Sequence, residues 1–570
     1  MIYRTEHPKP QFRRDGWVNL NGPWAFEIDR ADSGEARGYF APDAPLGRVI
    51  NVPFCPESKL SGVEDRDFMA AVWYRRSFTL TEAQAAGRVV LHFGAVDYLA
   101  TVAVNGTVCG SHKGGYVSFS LDITDYIHAG ENVVTVRAQD SSRDPMIPHG
   151  KQSDRYASYE CSYTRTTGIW QTVWLEFTPK AYVANVRYET NVSPALLTVF
   201  AEVVGAGTLT ASAFFDGAPM GTAKAVTDGS SVVLAVPLTE THLWELGKGG
   251  LYDLELTFGD DQVHSYFGLR SIAYQDHQFL LNGRSVFQRT VLDQGFYPDG
   301  IYTAPSDAEL EADIDRSMAM GFNGARLHEK VFEERFLYYC DRKGYLVWGE
   351  YPNWGLDHSR PESVYGMLPE WLEEVRRDRN HPAIIGWCPF NETGDFDGRK
   401  QFDDLLALVY HATKEVDPAR PCIDTSGYFH VVTDVYDLHD YTQDPAEFAS
   451  HFASLPVDGT VSGPHSYPNR QPYDGKKPFF LSEFGGIRWT DDQNGWGYGN
   501  APTTREEFLT RLKGLVDALL DNPRVMGLCY TQLTDVEQEQ NGLYTYDRRP
   551  KFPPEEIAPI FSRPAAIEAE

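Results

Sequence analysis

Two stretches decide how this chain folds: Ile384-Ile385-Gly386-Trp387-Cys388-Pro389-Phe390-Asn391-Glu392 and Pro478-Phe479-Phe480-Leu481-Ser482-Glu483-Phe484-Gly485-Gly486. Each is an apolar run, too continuous for a strand with one wet face, that stops abruptly at a carboxylate. Such runs read as fully buried strands of a parallel sheet. Around them, from residue 273 onward, apolar runs alternate with amphipathic ones. Eight strands are expected near 285–293, 324–329, 346–351, 384–391, 421–426, 434–440, 478–483 and 525–532. Helical patterns lie between most of them, over 307–320, 333–343 and 504–520, with Ser306 and Thr503 or Thr504 placed as N-caps. Eight βα units in about 300 residues predict a C-terminal (β/α)8 TIM barrel over 273–570.

Upstream the grammar is all β. Residues 1–180 carry short runs such as Val89-Val90-Leu91-His92-Phe93 and Val133-Val134-Thr135-Val136-Arg137, and Asn105-Gly106 is a two-residue hairpin signal. They predict an N-terminal β-sandwich of jelly-roll type. Residues 181–272 hold roughly seven short segments, which suits an immunoglobulin-like β-sandwich. The expected architecture is multidomain, in that order.

The 570 residues carry 51 basic and 80 acidic side chains, a formal charge of −29, with no basic footprint for nucleic acid or for an anionic membrane. Aromatics make up 13%, a composition that leans toward stacking on sugar rings. Seven cysteines in no clustered spacing offer no zinc site, and several lie in apolar strand contexts, which favours free thiols and a reducing, cytoplasmic compartment. The N-terminus has no apolar signal core, and no stretch reaches the ~18 consecutive apolar residues of a membrane span.

In a barrel of this kind reactive groups sit at the C-terminal ends of the strands. That rule singles out Glu392 after strand four and Glu483 after strand seven. Glycosidic cleavage needs two carboxyl groups, one to protonate the leaving oxygen and one to attack the anomeric carbon or activate water. The acid must keep its proton near neutral pH, so its pKa is expected to be raised. Asp293, Arg326, His328 and Glu350 end strands one to three and are expected to face the same pocket, although Arg326 and Glu350 could equally form a buried charge network. His439 and Tyr441, in Asp437-Leu438-His439-Asp440-Tyr441 after strand six, join the set. Tyr441 either orients Glu483 or is a rim aromatic. Trp489, with Trp496 and Tyr498 in the loop that follows, either walls the site or packs within its own loop.

Asn391-Glu392 and Ser482-Glu483-Phe484-Gly485 resemble the acid/base and nucleophile motifs of glycoside hydrolase family 2, which includes β-galactosidases, β-glucuronidases and β-mannosidases. The resemblance extends over nearly the whole chain. Leu20-Asn21-Gly22-Pro23-Trp24, Val52-Pro53-Phe54, Trp73-Tyr74-Arg75-Arg76 and Gly168-Ile169-Trp170-Gln171-Thr172-Val173-Trp174 are similar to its sugar-binding-like sandwich. Phe267-Gly268-Leu269-Arg270 and Leu281-Asn282-Gly283 resemble the entry to its barrel. The resemblance implies Glu392 as general acid/base, Glu483 as nucleophile, Asn391 as a hydrogen-bond partner of the sugar 2-OH, and a homo-oligomer.

Two departures narrow the sugar. Where many family members read Arg-x-Ser-His-Tyr-Pro, this chain reads Arg326-Leu327-His328-Glu329-Lys330. Where β-glucuronidases carry an Asn-x-Lys motif that grips the substrate carboxylate, it reads Glu539-Gln540-Asn541-Gly542-Leu543-Tyr544. Lys330 or Arg488 could bind a carboxylate from another direction, or both are solvated surface charges. The expected function is a retaining exo-β-glycosidase on a terminal galactose-type sugar, with a small oligosaccharide or glycoside as substrate and neither cofactor nor metal. A β-hexuronidase (galacturonidase or glucuronidase) or a furanosidase of the same family is the alternative within the class, and a non-catalytic carbohydrate-binding protein the alternative outside it.

Overall fold

The computed structural model describes residues 2–395, 398–467, 469–471 and 473–569. Two antiparallel sheets face each other in the first part of the chain. One contains Trp17–Asn19, Val173–Thr178, Arg88–Phe93 and Phe119–Asp122; the other runs Arg48–Val52, Gly22–Asp29, Ala71–Leu80, Gly130–Gln139, Leu99–Val104 and Thr107–Lys113. Trp24, Phe26, Tyr74, Leu91, Phe93 and Val136 fill the space between them. The Asn105-Gly106 hairpin forms as expected. Both residues have positive φ, 51° and 84°, the twist that joins strands 99–104 and 107–113 without splaying them.

The second block is a seven-stranded sandwich of three plus four strands, from Tyr182–Val192 to Asp261–Gly268. Several of its strands alternate between core and solvent. Along Ser230–Pro237 every second side chain, Val232, Leu234 and Val236, points into the core.

The barrel follows. Its parallel ladder contains Gln288–Asp293, Gly324–Leu327, Leu346–Glu350, Ile384–Cys388, Tyr436–Asp440, Phe479–Gly485 and Val525–Thr531, which are strands one to four and six to eight of the expected eight. The fifth position differs from expectation. Residues 421–426 run beside strand four but pair with it only through isolated bridges at Cys422 and Ser426. The physical reason is Asp424, whose carboxylate accepts the amides of Val431 and Val432 and so draws the backbone into a turn. Ser426 closes the ring instead through its hydroxyl, which donates to Asp437 of strand six at 2.7 Å.

Helices Asp307–Ala319, Glu334–Lys343 and Arg505–Leu520 match the expected patterns. Thr504 caps the last through the Glu507 amide, whereas the Ser306 side chain makes no capping bond. All seven cysteines are free thiols. No helix among the described residues is long and apolar enough to cross a membrane.

The first sandwich is bolted onto the barrel. Cys55, Tyr116, Tyr163 and Trp170 from the sandwich and Phe296, Tyr302, Val331 and Val536 from the barrel share one apolar cluster. Arg4 makes paired hydrogen bonds of 2.8 and 2.7 Å to the Glu333 carboxylate, and its side chain is 2% exposed. Removing one partner of a buried ion pair costs about 3–5 kcal/mol, because the other charge stays buried. Arg4→Met is therefore expected to lower the first thermal unfolding transition clearly, with Arg4→Lys restoring only part of it, since an ammonium cannot make the two parallel bonds. A melting curve unchanged in Arg4→Met would show that this arm does not hold the domains together.

Candidate active site

Strands two, three, four, six and seven deliver their last residues to one point. Arg326 stands at its centre, 1% exposed. Its guanidinium donates to Glu350 on one side, to the Ser482 carbonyl at 2.6 Å and Glu483 Oε1 at 3.2 Å on another, and to Asn391 Oδ1 at 3.2 Å. The Asn391 amide nitrogen, turned away by that contact, is buried with no partner among the described residues and is free to donate to a ligand. Asn353 brackets the Asn391 backbone, accepting from its N–H at 2.6 Å and donating to its carbonyl at 3.1 Å. Glu392, next in the chain, has φ +53°, a left-handed conformation unusual for a non-glycine residue and of the kind that gathers at functional sites.

The two glutamates meet across His439. The His439 Nδ1 lies 2.7 Å from Glu392 Oε1 and 3.4 Å from Glu483 Oε2, and one atom from each of the three groups lies within 4.8 Å of the others. Its other nitrogen lies 2.9 Å from the Ser426 hydroxyl, which Asp437 accepts in turn. The Tyr441 hydroxyl donates to Glu483 Oε2 at 2.6 Å. Burial pushes the Glu392 carboxyl upward, but the His439 hydrogen bond and charge, with smaller contributions from Lys151 and His465, leave it below the usual carboxylate range. His439 moves the opposite way: burial pulls it down, and Glu483 and Glu392 outweigh that and raise it. The raised acid pKa expected from the sequence is thus absent from Glu392 itself, because the hydrogen bond and charge of His439 outweigh the effect of burial. A cation seated among Glu392, His439 and Glu483 would occupy both carboxylates and exclude a sugar rather than assist it.

His328 stands 2.9 Å from Glu350 through Nδ1. Burial and the nearby Lys151 charge hold it well below the ordinary histidine value, so it is neutral. Around the rim, Tyr498 stacks on Tyr441 at 3.4 Å between ring centres, and Trp496 meets Tyr498 edge-on while its indole donates to the Glu160 carbonyl of the sandwich. On the Glu392 side Tyr428, His465 and Tyr467 pile into a second aromatic wall.

Several expected residues go elsewhere. Asp293 shares the outward face of strand one with Arg289, which reaches Glu568; it meets Asp313 of the helical layer, and burial with that neighbour pushes it up to about 6. Residue alternation, not position along the strand, decides this. Trp489 packs on Phe508 and Phe552 behind the barrel wall. Lys330 is buried, donating to the carbonyls of Gly295 and Tyr302, and the Arg488 guanidinium turns to the Asp492 carbonyl. Sequence reasoning missed Lys151, Trp354 and Tyr163. Lys151 and Tyr163 arrive from the first sandwich, where no strand-end rule applies.

Residues 17–179 match the sugar binding domain of glycosyl hydrolases family 2, and residues 272–488 match the TIM barrel domain of the same family. A β-glucuronidase from Felis catus is 26% identical over 480 residues, covering 74% of this chain and 69% of its own. A β-galactosidase from Thermoanaerobacter pseudethanolicus is 26% identical over 408 residues, covering 66% of this chain and 52% of its own. The structure of a Lactobacillus rhamnosus β-glucuronidase shares the fold, with a TM-score of 0.81 at 21% identity over 99% of this chain and 100% of that one. Both domain matches fall on the elements that assemble the site, in the family's order, and the chain is a glycosyl hydrolase of family 2.

Proposed function

We propose that this hydrolase is a retaining exo-β-glycosidase acting on β-linked hexuronides, with Glu483 as nucleophile and Glu392 as general acid/base. The observation that carries the reaction type is the spacing of the two carboxylates across His439, within 4.8 Å between nearest atoms. Retaining enzymes hold the pair ~5–5.5 Å apart, too close to admit the water that an inverting enzyme needs. Glu483, fixed by Tyr441 and Arg326, attacks the anomeric carbon while Glu392 protonates the departing oxygen. Glu392 then takes a proton from water as the water releases the sugar from Glu483. The unpartnered Asn391 amide donates to the 2-OH, a bond that strengthens as the ring flattens toward the oxocarbenium-like state. The sandwich loop that meets the barrel rim at Trp496 walls one end, which supports action on a terminal sugar.

The uronide reading replaces the galactose-type sugar expected from the sequence. What supports it is that β-glucuronidases from several mammals recur among the relatives, beside the β-galactosidase. A galactoside remains the second reading, on the strength of that β-galactosidase.

Glu483→Gln is expected to abolish turnover of every aryl β-glycoside, by roughly four orders of magnitude or more. Glu392→Gln is expected to spare substrates with acidic leaving groups and to be rescued by azide, giving a β-glycosyl azide. Proton NMR of the wild-type reaction checks the stereochemistry. An α-anomer as first product would overturn the retaining mechanism.

The His439–Glu392 pair shares one proton over a 2.7 Å contact, and the raised histidine holds it to a higher pH than a lone carboxyl could. In the wild type the alkaline limb of kcat/KM then reports loss of that proton from the pair. In His439→Gln the proton must be held by Glu392 alone, so the limb is expected to move to lower pH, with activity at pH 7 falling more than about tenfold. A limb that stays where it was would rule out the shared proton.

A further inference from the structure

We propose that Lys151, carried into the barrel mouth by the N-terminal sandwich, is the anchor for the carboxylate of the uronic acid. The proposal rests on the uronide reading above and supplies what that reading otherwise lacks. In the region of the Asn-x-Lys motif this chain has Glu539-Gln540-Asn541, with no lysine, and the buried Asn541 side chain is taken up by Gln532 and Glu539.

The loop that carries Lys151 is held hard against the barrel. The His149 amide donates to the Trp354 carbonyl at 2.8 Å, and the Gly150 amide reaches the carbonyls of Pro352 and Trp354, both at 3.2 Å. Gly150 has φ +57°, and a Cβ there would stand 2.5 Å from the Glu329 carbonyl oxygen, so the close approach requires glycine. On the other side the Tyr163 amide donates to the Lys151 carbonyl at 2.7 Å, and the Tyr163 hydroxyl donates to Glu539. Lys151 is thereby fixed between Trp354, whose neighbour Asn353 brackets Asn391 beside Glu392, and Glu539 on the far wall. Its ammonium lies 3.5 Å from the centre of the Trp354 ring.

Four neighbouring cations are already committed. Arg326 serves Glu350, Glu483 and Asn391; Lys330 serves two carbonyls; Lys551 donates to Asp535 at 2.6 Å; Arg488 turns to Asp492. Lys151 is 6% exposed, and among the described residues no hydrogen bond or ion pair reaches its ammonium. Three N–H donors on a side chain so little exposed, with no protein acceptor, are met best by a ligand that supplies one. Burial works against the charge, but the Cys161 sulfur and the carboxylates of Glu539, Glu392 and Glu329 outweigh it, so the group stays cationic. A substrate carboxylate meets that need better than a hydroxyl, because a bond between two ionised groups is the stronger one.

The test compares kcat/KM for 4-nitrophenyl β-D-glucuronide and β-D-galacturonide with that for the matching uronamides, in which the carboxylate is a neutral amide of nearly equal size. In Lys151→Met the ratio of uronide to uronamide is expected to fall about a hundredfold, the scale of truncating one partner of a buried charge pair, with Lys151→Arg recovering part of it. The ratio cancels losses common to both substrates, including those from a poorly folded fraction. If uronide and uronamide decline together, or neither changes, Lys151 is a scaffold or acts through Glu392, and the anchor is overturned while the uronide reading stands. If the wild type cleaves aryl galactosides or glucosides but neither uronide, the uronide reading falls and the anchor with it.

Discussion

Everything at the barrel mouth depends on one buried cation, the Arg326 guanidinium. It lies among Glu350, Glu483, Asn391 and the Ser482 carbonyl, and it is almost wholly removed from water. Carboxylates gathered this closely would repel one another and take up protons without a shared counter-charge. A planar fork with five donors meets several oxygens at once, which a lysine ammonium could not do with the same geometry. The network that sequence reasoning offered as an alternative to substrate binding also fixes Glu483 and Asn391, the residues proposed to meet the substrate. Structure and reactivity share the same bonds here.

A second constraint is the sharing of protons between unlike partners. His439 gains basicity from two carboxylates, and Glu392 loses it to the histidine. Neither shift arises from burial alone, which would push both groups toward neutrality. Ser426 and Asp437 extend the contact away from the pocket and fix the imidazole in the plane between the glutamates. The irregular fifth barrel position is part of this arrangement: a regular strand at 421–426 would have spent its backbone on a ladder, whereas the observed turn brings the Ser426 hydroxyl to the histidine.

The sandwich contributes residues to the barrel mouth as well as bulk. Its loop at 149–163 brings Lys151 and Tyr163 to the rim, and Glu160 holds Trp496. The buried Arg4–Glu333 pair and the aromatic cluster around Trp170 and Tyr302 set the orientation that such contacts require. A site built between domains can vary its sugar by changing a loop on one domain while the carboxylate pair on the other is untouched.

The sequence by itself determined the order of the three folded parts, seven of the eight barrel strands and the placement of Glu392 and Glu483 at the mouth of the barrel. Those features are written in local hydrophobic period and in the rule that barrel chemistry sits at strand ends. It also placed His439 and Tyr441 at the end of the right strand. The tertiary structure alone decided which strand-end side chains face inward. Asp293 turned to the helices, because side-chain parity depends on register with neighbouring strands rather than on the strand's own residues, and Trp489, in the loop after strand seven, packed on Phe508 and Phe552. It alone decided which way the Glu392 carboxyl shifts, since that depends on a histidine 47 residues away at 2.7 Å. It alone brought Lys151 to the site. A lysine in a loop of another domain carries no local pattern, and its role comes only from the carboxylates, the indole and the missing acceptor that folding places around it.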